Sequence, residues 1–361
     1  MTYSVKEVTE KTILLGLTGS RSYGLHTPSS DYDYRGILVQ DLREYVGFSS
    51  FEQKDKGFDT EISLFPFLSK DTVIYDVKKY LKLAQKSNPN ILELLYLPEY
   101  LHLTEAAKVL IKYRECFISR QVKSSYLGYA YGQIKRVENH RKWLLNPPSS
   151  PPELPEQNQV LSKAELQAFL EFLYNTVKNK IEYLEPSEVF REFLNNSFDF
   201  KGIFKNYPLE EECLEEVAKI TQVPTSFISK VQENQRYQTE LKKYSNYLSW
   251  IKNRNPDRAK FEALVGYDVK HASHCLRILY QLESILEKGD VIVEVKNFPY
   301  KRGLFLRSIL EGKVSYEKIK EESENLFQKL KLTNFDSIGH PLSNSKLTDI
   351  VLEVLETHTH V

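Results

Sequence analysis

Two aspartates, Asp31 and Asp33, are separated by a single residue in the segment TPSSDYDYRG. In an extended strand, residues i and i+2 point to the same face, so this spacing predicts two carboxylates about 7 Å apart, with Tyr32 and Tyr34 turned to the other face. Carboxylates of this kind suit Mg²⁺, which proteins usually hold by one or two of them together with substrate phosphates and water. The pair therefore predicts part of a divalent-cation site.

A glycine and a serine, Gly19 and Ser20, end the apolar run that precedes the aspartates. Glycine lets the backbone approach a phosphate closely, the serine offers a hydroxyl, and the amides of the following turn can bind an anion. Arg21 adds a positive charge at the same place. This turn is therefore predicted to bind the phosphates of a nucleotide.

Phosphoryl transfer with two metal ions needs a further carboxylate, so that the metals are bridged and an attacking hydroxyl is activated. Asp76 is the first candidate, because it ends the apolar run from Thr72 to Tyr75 just before a helical pattern begins. Asp31, Asp33 and Asp76 are thus the predicted catalytic metal ligands. Weaker candidates for the third position are Asp59, Glu61 and Asp71.

A group of basic residues lies in the segment GYDVKHASHCLRIL, where Lys270, His274 and Arg277 share one side of a predicted helix and His271 lies beside them. Cationic groups this close repel one another, and an anion such as a nucleotide phosphate or an RNA backbone would relieve the repulsion. Lys270, His274 and Arg277 are therefore predicted to contact the nucleotide. A metal site at the histidines is the less favoured alternative, since the segment shows no third ligand.

A long helical pattern from Ser119 to Leu145 carries an excess of positive charge. Such a helix could follow a phosphate backbone and would then bind RNA less strongly at high salt. An ordinary solvated helix face explains the same charges equally well. The basic residues concerned are Arg120, Lys123, Lys135, Arg136, Arg141 and Lys142.

The pattern of apolar residues predicts an α+β protein, with a small mixed sheet in residues 1–104 and a mostly helical domain in residues 105–361. The proline-rich segment NPPSSPPELP, residues 146–155, cannot continue a helix and precedes an insert at about residues 154–258. The Asn88-Pro89 pair indicates a helix stop and restart, and Ser162 with Glu165 indicates a helix start. The predicted strands are Ile13 to Thr18, Asp33 to Val39, Glu61 to Phe65 and Thr72 to Asp76, with a short strand or hairpin edge at Val291 to Val295.

The composition limits the broad class of protein. The 361 residues contain 49 Lys and Arg against 49 Asp and Glu, and this zero net charge excludes a histone-like role. Three cysteines lie far apart without zinc-ligand spacing, which suits buried thiols in a reducing cytoplasm. The charged N-terminal segment lacks a signal-peptide pattern, and no apolar stretch is long enough to span a membrane. We therefore expect a soluble cytoplasmic protein with no membrane partner.

The order of these features resembles the signature of the DNA polymerase β-like nucleotidyltransferase superfamily: a strand-ending Gly-Ser, ten residues, Asp-x-Asp, and a downstream strand with another Asp. Four segments look more specifically like the nucleotidyltransferases associated with RNA repair. The resemblance covers roughly residues 13–145 and 264–320 and leaves the insert unmatched. The four segments are GSRSYGLHTPSSDYDYRG, DVKKYLKLAQKSNPNILELLYLP, SYLGYAYGQIKRVENHRK and GYDVKHASHCLRIL.

The resemblance implies a polymerase β-like core that uses Mg²⁺ or Mn²⁺ to move a nucleotide from a nucleoside triphosphate to a hydroxyl group, releasing pyrophosphate. It carries over Asp31, Asp33 and Asp76 as metal ligands and Gly19 and Ser20 as the triphosphate-binding turn. An RNA end is the acceptor that the family and the basic helix favour. The alternatives are transfer of AMP to a protein hydroxyl or a small molecule, and a catalytically silent sensor of nucleotide or RNA. The sequence predicts neither the preferred nucleotide nor the oligomeric state.

Overall fold

The computed structural model describes residues 3–48, 51–154, 162–180, 211–334 and 338–359. The chain forms two compact units, one made of Met1–Leu144 with Lys260–Val361 and the other of Leu145–Ala259. The boundary predicted at residue 104 does not separate these units, because helices that follow it pack with one face of the sheet in the larger apolar cluster. The second unit contains the predicted insert, of which residues 155–161 and 181–210 lie outside the described residues.

The first unit begins with a five-stranded mixed sheet in the order β3-β4-β2-β1-β5. Strand β1 is antiparallel to both β2 and β5, β2 is parallel to β4, and β3 is antiparallel to β4. The α+β class predicted from the sequence is confirmed. The elements are α1 (Val5–Glu10), β1 (Thr12–Thr18), α2 (Gly19–Tyr23), β2 (Asp33–Leu38), α3 (Leu42–Val46), β3 (Gln53–Lys54), β4 (Thr72–Asp76), α4 (Val77–Gln85), α5 (Pro89–Leu95) and β5 (His102–Leu103).

Three of the predicted strands are β1, β2 and β4, with bounds that agree to within one residue. The prediction of a strand from Glu61 to Phe65 is wrong. This segment is hydrogen-bonded to α1 instead of to a strand. The amide of Val5 donates to Glu61 Oε2 at 2.9 Å, and the amide of Leu64 donates to Thr9 Oγ1 at 3.0 Å. The edge of the sheet next to β4 is formed by β3 instead.

The segment from Val291 to Val295 is buried but forms no strand. The carbonyl of Ile292 accepts a hydrogen bond of 2.7 Å from Gln281 Nε2, and the chain continues into a 3-10 turn at Val295–Asn297. Its apolar side chains reflect burial among helices, which a short apolar run does not distinguish from burial in a sheet. The prediction of a strand or hairpin edge here is therefore wrong.

The two faces of the sheet are covered by different apolar clusters. In β2, Ile37 belongs to the larger cluster, which includes most of the helices, while Tyr34 and Leu38 belong to a smaller cluster with α1. This separation follows from the alternation of side chains along a strand. Because Asp33 alternates with Tyr34, its side chain lies on the face of the sheet that carries the helices.

Helices after the sheet complete the first unit: α6 (Glu105–Lys112), a 3-10 turn (Arg114–Phe117) and α7 (Gln121–Leu145). Helix α7 ends where the proline-rich segment begins, as predicted. Helix α5 starts with Asn88 as its cap and Pro89 in the first turn, which confirms the structural role predicted for that pair. The last helices of the chain are α11 (Pro256–Val265), α12 (Val269–Lys288), α13 (Tyr300–Leu310), α14 (Tyr316–Leu332) and α15 (Asn344–Thr359).

The second unit contains α8 (Lys163–Lys180), α9 (Glu211–Thr221) and α10 (Thr225–Lys252). Helix α8 starts at the predicted capping box: the amide of Ser162 donates to Glu165 Oε2 at 2.7 Å, and the amide of Glu165 donates to Ser162 Oγ at 3.3 Å. Helix α8 packs against α9 and α9 against α10.

The cysteines differ in part from the expectation of buried thiols. Cys275 is buried in α12, whereas Cys116 is exposed, and the side chain of Cys213 lies outside the described residues. Within the described ranges, no helix combines the length and apolar character that a membrane span requires.

Candidate functional site

Asp31 and Asp33 lie at the start of β2, where Asp33 pairs with Thr18 at the end of β1. Thr18 Oγ1 donates a hydrogen bond of 3.2 Å to the carbonyl of Asp33, so the two strand ends are fixed together. Asp33 is half-buried and Asp31 is exposed. The structure therefore has a pair of carboxylates beside the turn that follows β1.

Gly19 lies directly against the Asp33 carboxylate. A Cβ atom at position 19 would be 2.2 Å from Asp33 Oδ2, and the residue has a φ of +69°. Both the close approach and the backbone angle require glycine. The Gly-Ser turn that the sequence singled out thus lies against Asp33, with Ser20 in the first turn of α2.

Arg21 holds the loop in front of the pair. Its Nη2 donates to the carbonyl of Ser30 at 2.8 Å, its Nε donates to the carbonyl of Asp31 at 3.3 Å, and its guanidinium stacks 3.6 Å from the ring centre of Tyr32. These contacts use the guanidinium to position the loop. The predicted contact of Arg21 with a nucleotide stays a prediction.

Asp71 lies at the same end of the sheet as Asp31 and Asp33. Its carbonyl accepts a hydrogen bond of 3.3 Å from the amide of Tyr34, and its amide donates to Ser69 Oγ at 3.2 Å. Ser69 Oγ in turn donates to the carbonyl of Tyr32 at 2.6 Å. Because β2 and β4 are parallel, the residue just before β4 lies beside the start of β2.

Asp76 lies at the opposite end of β4. It is in register with Leu38, which is five residues beyond Asp33, so the strand separates Asp76 from Asp33 by roughly 16 Å. The structure therefore does not bring Asp76 together with the aspartate pair. The expectation that Asp76 supplies the third carboxylate needs correction on geometric grounds.

The hydrogen bonds of Asp76 are those of a structural residue. The carboxylate is 3 % exposed, and Oδ2 accepts hydrogen bonds of 2.7 Å from both Gln40 Nε2 and the Tyr45 hydroxyl. Oδ1 accepts a bond of 2.9 Å from the amide of Lys78 and caps α4. Asp76 thus stabilises the start of a helix.

The electrostatic surroundings of Asp33 reflect the clustering of the carboxylates. Burial raises the pKa of Asp33 above its usual value, the carboxylates of Asp71 and Asp31 raise it further, and Lys270 and Arg35 act in the opposite direction. Negative charges around a partly buried carboxylate favour a bound cation. Divalent metal binding would therefore relieve the repulsion among Asp31, Asp33 and Asp71.

A surface cavity of about 600 Å³ lies beside these carboxylates. Asp31 and Asp71 line it together with the aromatic rings of Tyr32, Tyr34 and Phe67. Phe67 is 47 % exposed, so its ring is accessible to a ligand in the cavity, whereas the Tyr32 ring is stacked against Arg21. Phe67 and Ser69 were missed in the sequence, because they lie in a loop without a regular period. The remaining lining residues are Ser30, Ser69 and Lys70.

Arg277, predicted to bind the nucleotide, is instead buried in the core. Its side chain is 1 % exposed, and its Nη1 forms a 2.5 Å ion pair with Glu93 Oε1. Its guanidinium lies 3.7 Å from the ring centre of Tyr23, whose hydroxyl donates to Glu93 Oε2 at 2.7 Å. These contacts attach α12 to α2 and α5 and leave the Arg277 guanidinium inaccessible from solvent.

His274 and Lys270 differ sharply in environment, although both lie on α12. Burial lowers the pKa of His274 well below its usual value, and the charge of Arg277 lowers it further, so the ring is neutral at pH 7. The ring lies between those of Tyr23 and Tyr129. Lys270 is exposed and close enough to influence Asp33. Of the predicted basic cluster, Lys270 is the member whose charge reaches the carboxylates.

The basic residues of α7 are largely held by other parts of the first unit. Lys123 Nζ donates to the carbonyl of Lys331 at 2.7 Å, and Arg141 Nη1 donates to the carbonyl of Gly266 at 2.9 Å. Arg120 Nε donates to the carbonyl of Ile338 at 3.1 Å, just before α7. Lys135 pairs with Glu138 at 2.8 Å. These contacts favour a role of the charges in packing over one in RNA binding.

The sequence was compared with protein families, with curated proteins and with solved structures. Residues 2–147 match the RlaP family model, described as the RNA repair pathway DNA polymerase beta family. The chain is also 23 % identical over 334 residues, 91 % of its own length and 90 % of the relative's, to an uncharacterised 38.9 kDa protein of the nrdC–mobD intergenic region in Enterobacteria phage T4. No solved structure gives a significant match. The match over residues 2–147 supports the resemblance to a polymerase β-like nucleotidyltransferase family that the sequence predicted.

Proposed function

We propose that this chain is a metal-dependent nucleotidyltransferase that moves a nucleoside monophosphate from a nucleoside triphosphate to a hydroxyl group, with an RNA end as the favoured acceptor. The observation that carries the proposal is that Asp31, Asp33 and Asp71 lie at the same end of β2 and β4, with Gly19 against Asp33. The family match supports the reaction class and the connection with RNA repair. A cytoplasmic location remains part of the proposal.

The three carboxylates offer the oxygen donors that a divalent cation prefers, and the charges of Asp71 and Asp31 add to the burial that raises the pKa of Asp33. Mg²⁺ or Mn²⁺ held there would neutralise the triphosphate and lower the pKa of the acceptor hydroxyl. Asp71 takes the third position in this proposal, in place of Asp76. The carboxylates bind and orient, and no covalent enzyme intermediate is required.

In this proposal, residues around the carboxylates bind the nucleotide. Gly19 lets the backbone lie against the phosphates, and the Ser20 hydroxyl can donate to a phosphate oxygen. The exposed ammonium of Lys270 adds a positive charge on the same side of the sheet. The exposed ring of Phe67, in the adjacent cavity, offers a stacking surface for a base.

The reaction is tested by following label from each of the four α-labelled nucleoside triphosphates, with Mg²⁺ or Mn²⁺, into RNA, protein and water. The wild-type chain is compared with Asp33→Asn. Label in RNA that depends on Asp33 supports the proposal, and label in protein supports AMP transfer to a protein. Binding of the triphosphate without any transfer supports the sensor, and an absence of binding contradicts the proposal.

Substitution of Gly19 by alanine is expected to reduce transfer about 10²-fold, because the new Cβ would displace the Asp33 carboxylate by an ångström or more. Gly24→Ala is the matched control: Gly24 has a φ of +70°, but a Cβ there would meet nothing within 4 Å. Both variants carry similar backbone strain. Steady-state transfer rates and thermal unfolding temperatures separate the two effects, and equal losses of activity in the two variants would contradict the role given to Gly19.

A further inference from the structure

A second group of ligand-type side chains lies where α7 meets the start of α12. The group consists of His140 on α7 and of Asp268 and His271 at the start of α12, and one potential ligand atom from each lies within 4.8 Å of the others. We propose that His140, Asp268 and His271 form a Zn²⁺ site that is separate from the proposed catalytic carboxylates. The proposal does not depend on the chemistry of the catalytic site.

Asp268 is the centre of this group. Its side chain is fully buried, and Oδ1 accepts a hydrogen bond of 3.0 Å from the amide of His271. Its other oxygen, Oδ2, accepts a hydrogen bond of 2.8 Å from His140 Nδ1 and lies 3.8 Å from His271 Nε2, so a metal bound to His140 Nδ1 would replace the proton on that nitrogen. A buried carboxylate is costly unless its charge is compensated. A cation bound at Oδ2 would interact directly with this buried charge, beside the hydrogen bonds that the carboxylate already accepts.

The orientation of His271 is that of a metal ligand. Its Nδ1 lies 2.7 Å from Gln133 Oε1, and an amide oxygen only accepts hydrogen bonds, so Nδ1 carries the proton. In the neutral ring Nε2 then carries the lone pair and faces Asp268 Oδ2. Two acceptor atoms at 3.8 Å do not bond to each other, but both can bind one metal ion. A hydrogen bond to the remote ring nitrogen is how proteins usually orient metal-bound histidine.

The separation of the two rings also agrees with a shared ion. Two imidazoles on one tetrahedral zinc, each with its nitrogen about 2.1 Å from the metal, have ring centres roughly 5 Å apart. The centres of His140 and His271 are 5.5 Å apart, with an angle of 61° between the ring planes. Two nitrogen donors and one carboxylate suit Zn²⁺ better than Mg²⁺, which prefers oxygen. Three protein ligands leave a fourth position for water.

A metal ion at this site would connect two helices. A metal there would fasten α7 to the first residues of α12, next to Lys270, whose charge acts on Asp33. Zinc binding would therefore stabilise the end of α12 that faces the carboxylates. It supplies no step of the proposed transfer reaction.

Calorimetric titration of the full chain with ZnCl₂, after EDTA treatment and in excess MgCl₂, tests the proposal. One equivalent is expected to bind, and the affinity should fall at least tenfold in both His140→Gln and His271→Gln. Gln133→Leu should weaken binding roughly 10- to 100-fold, because it removes only the partner that orients His271. Zinc should raise the thermal unfolding temperature of the wild type but not of His271→Gln.

Two controls distinguish this site from others on the chain. His358→Gln removes an exposed histidine of α15 and should still bind one equivalent of zinc. Asp33→Asn, which alters the proposed catalytic carboxylates, should also bind one equivalent. Loss of zinc binding in either control variant would show that zinc binds at the altered residue instead. Unchanged binding in the folded His140→Gln and His271→Gln variants, or no binding by the wild type, would show that the group is a hydrogen-bonded cluster and overturn the proposal.

Discussion

Replacement of Asp71 by asparagine is expected to lower the rate of nucleotide transfer about 10³-fold while leaving the fold intact. Asp71 is exposed, so the change removes a charge without leaving an unpaired buried group. Loss of one carboxylate from the metal set would remove roughly 4 kcal/mol of transition-state stabilisation, which corresponds to the stated rate. Single-turnover transfer of labelled nucleotide, alongside circular dichroism, measures both quantities.

The matched control is Asp76→Asn at the other end of the same strand. Gln40 and Tyr45 both donate to Asp76 Oδ2, and an asparagine amide would face one of these donors. We therefore expect the free energy of unfolding to fall by about 1–3 kcal/mol and the rate per folded molecule to stay within a few-fold of wild type. The reverse outcome, in which Asp76→Asn abolishes transfer and Asp71→Asn does not, would restore Asp76 as the third ligand.

Arg277→Met is expected to have the largest effect on stability, lowering the free energy of unfolding by about 3–5 kcal/mol. The substitution leaves Glu93 buried without its charged partner, although Tyr23 still donates to it. The double variant Arg277→Met with Glu93→Gln should recover much of the loss, because no charge remains buried. Denaturant unfolding curves of the wild type, both single variants and the double variant give the coupling between the two residues.

The same variants distinguish a buried ion pair from a nucleotide contact. If Arg277 bound a phosphate, Arg277→Met would raise the KM for the triphosphate and change stability little, and Glu93→Gln would not rescue it. A stable Arg277→Met protein with weakened nucleotide binding would therefore overturn the structural role given to Arg277. Lys270→Met, at the exposed start of α12, serves as the comparison for nucleotide binding.

The features that the sequence predicts well depend on neighbours along the chain. The i, i+2 spacing is enough to relate Asp31 to Asp33, and the Gly-Ser turn follows directly from the end of β1. Strands β1, β2 and β4 show their alternation locally, and the cap of α5 is a contact between adjacent residues. These patterns need no knowledge of which elements are neighbours in space.

The features that the sequence misses depend on the direction of strands and on how deeply a side chain is buried. Choosing Asp71 over Asp76 requires knowing that β4 runs parallel to β2, since this alone decides which end of β4 meets the aspartate pair. Lys270 and Arg277 share a helix face, but seven residues separate them by about 10 Å along the axis. One lies at the exposed start of α12 and the other in its buried middle, opposite Glu93, which lies in a distant segment.

The division of the first unit between two distant stretches of sequence has a consequence for synthesis on the ribosome. Lys112 and Tyr113 at the end of α6 bond to Glu353 of α15, and Gln85 Nε2 donates to the carbonyl of Leu342. These contacts join residues up to 257 positions apart. The sheet and α6 therefore emerge long before the helices that cover them, and remain exposed while residues 145–259 are translated. Long-range contacts of this kind slow folding, so the nascent chain has an extended interval in which chaperones can bind its apolar surface.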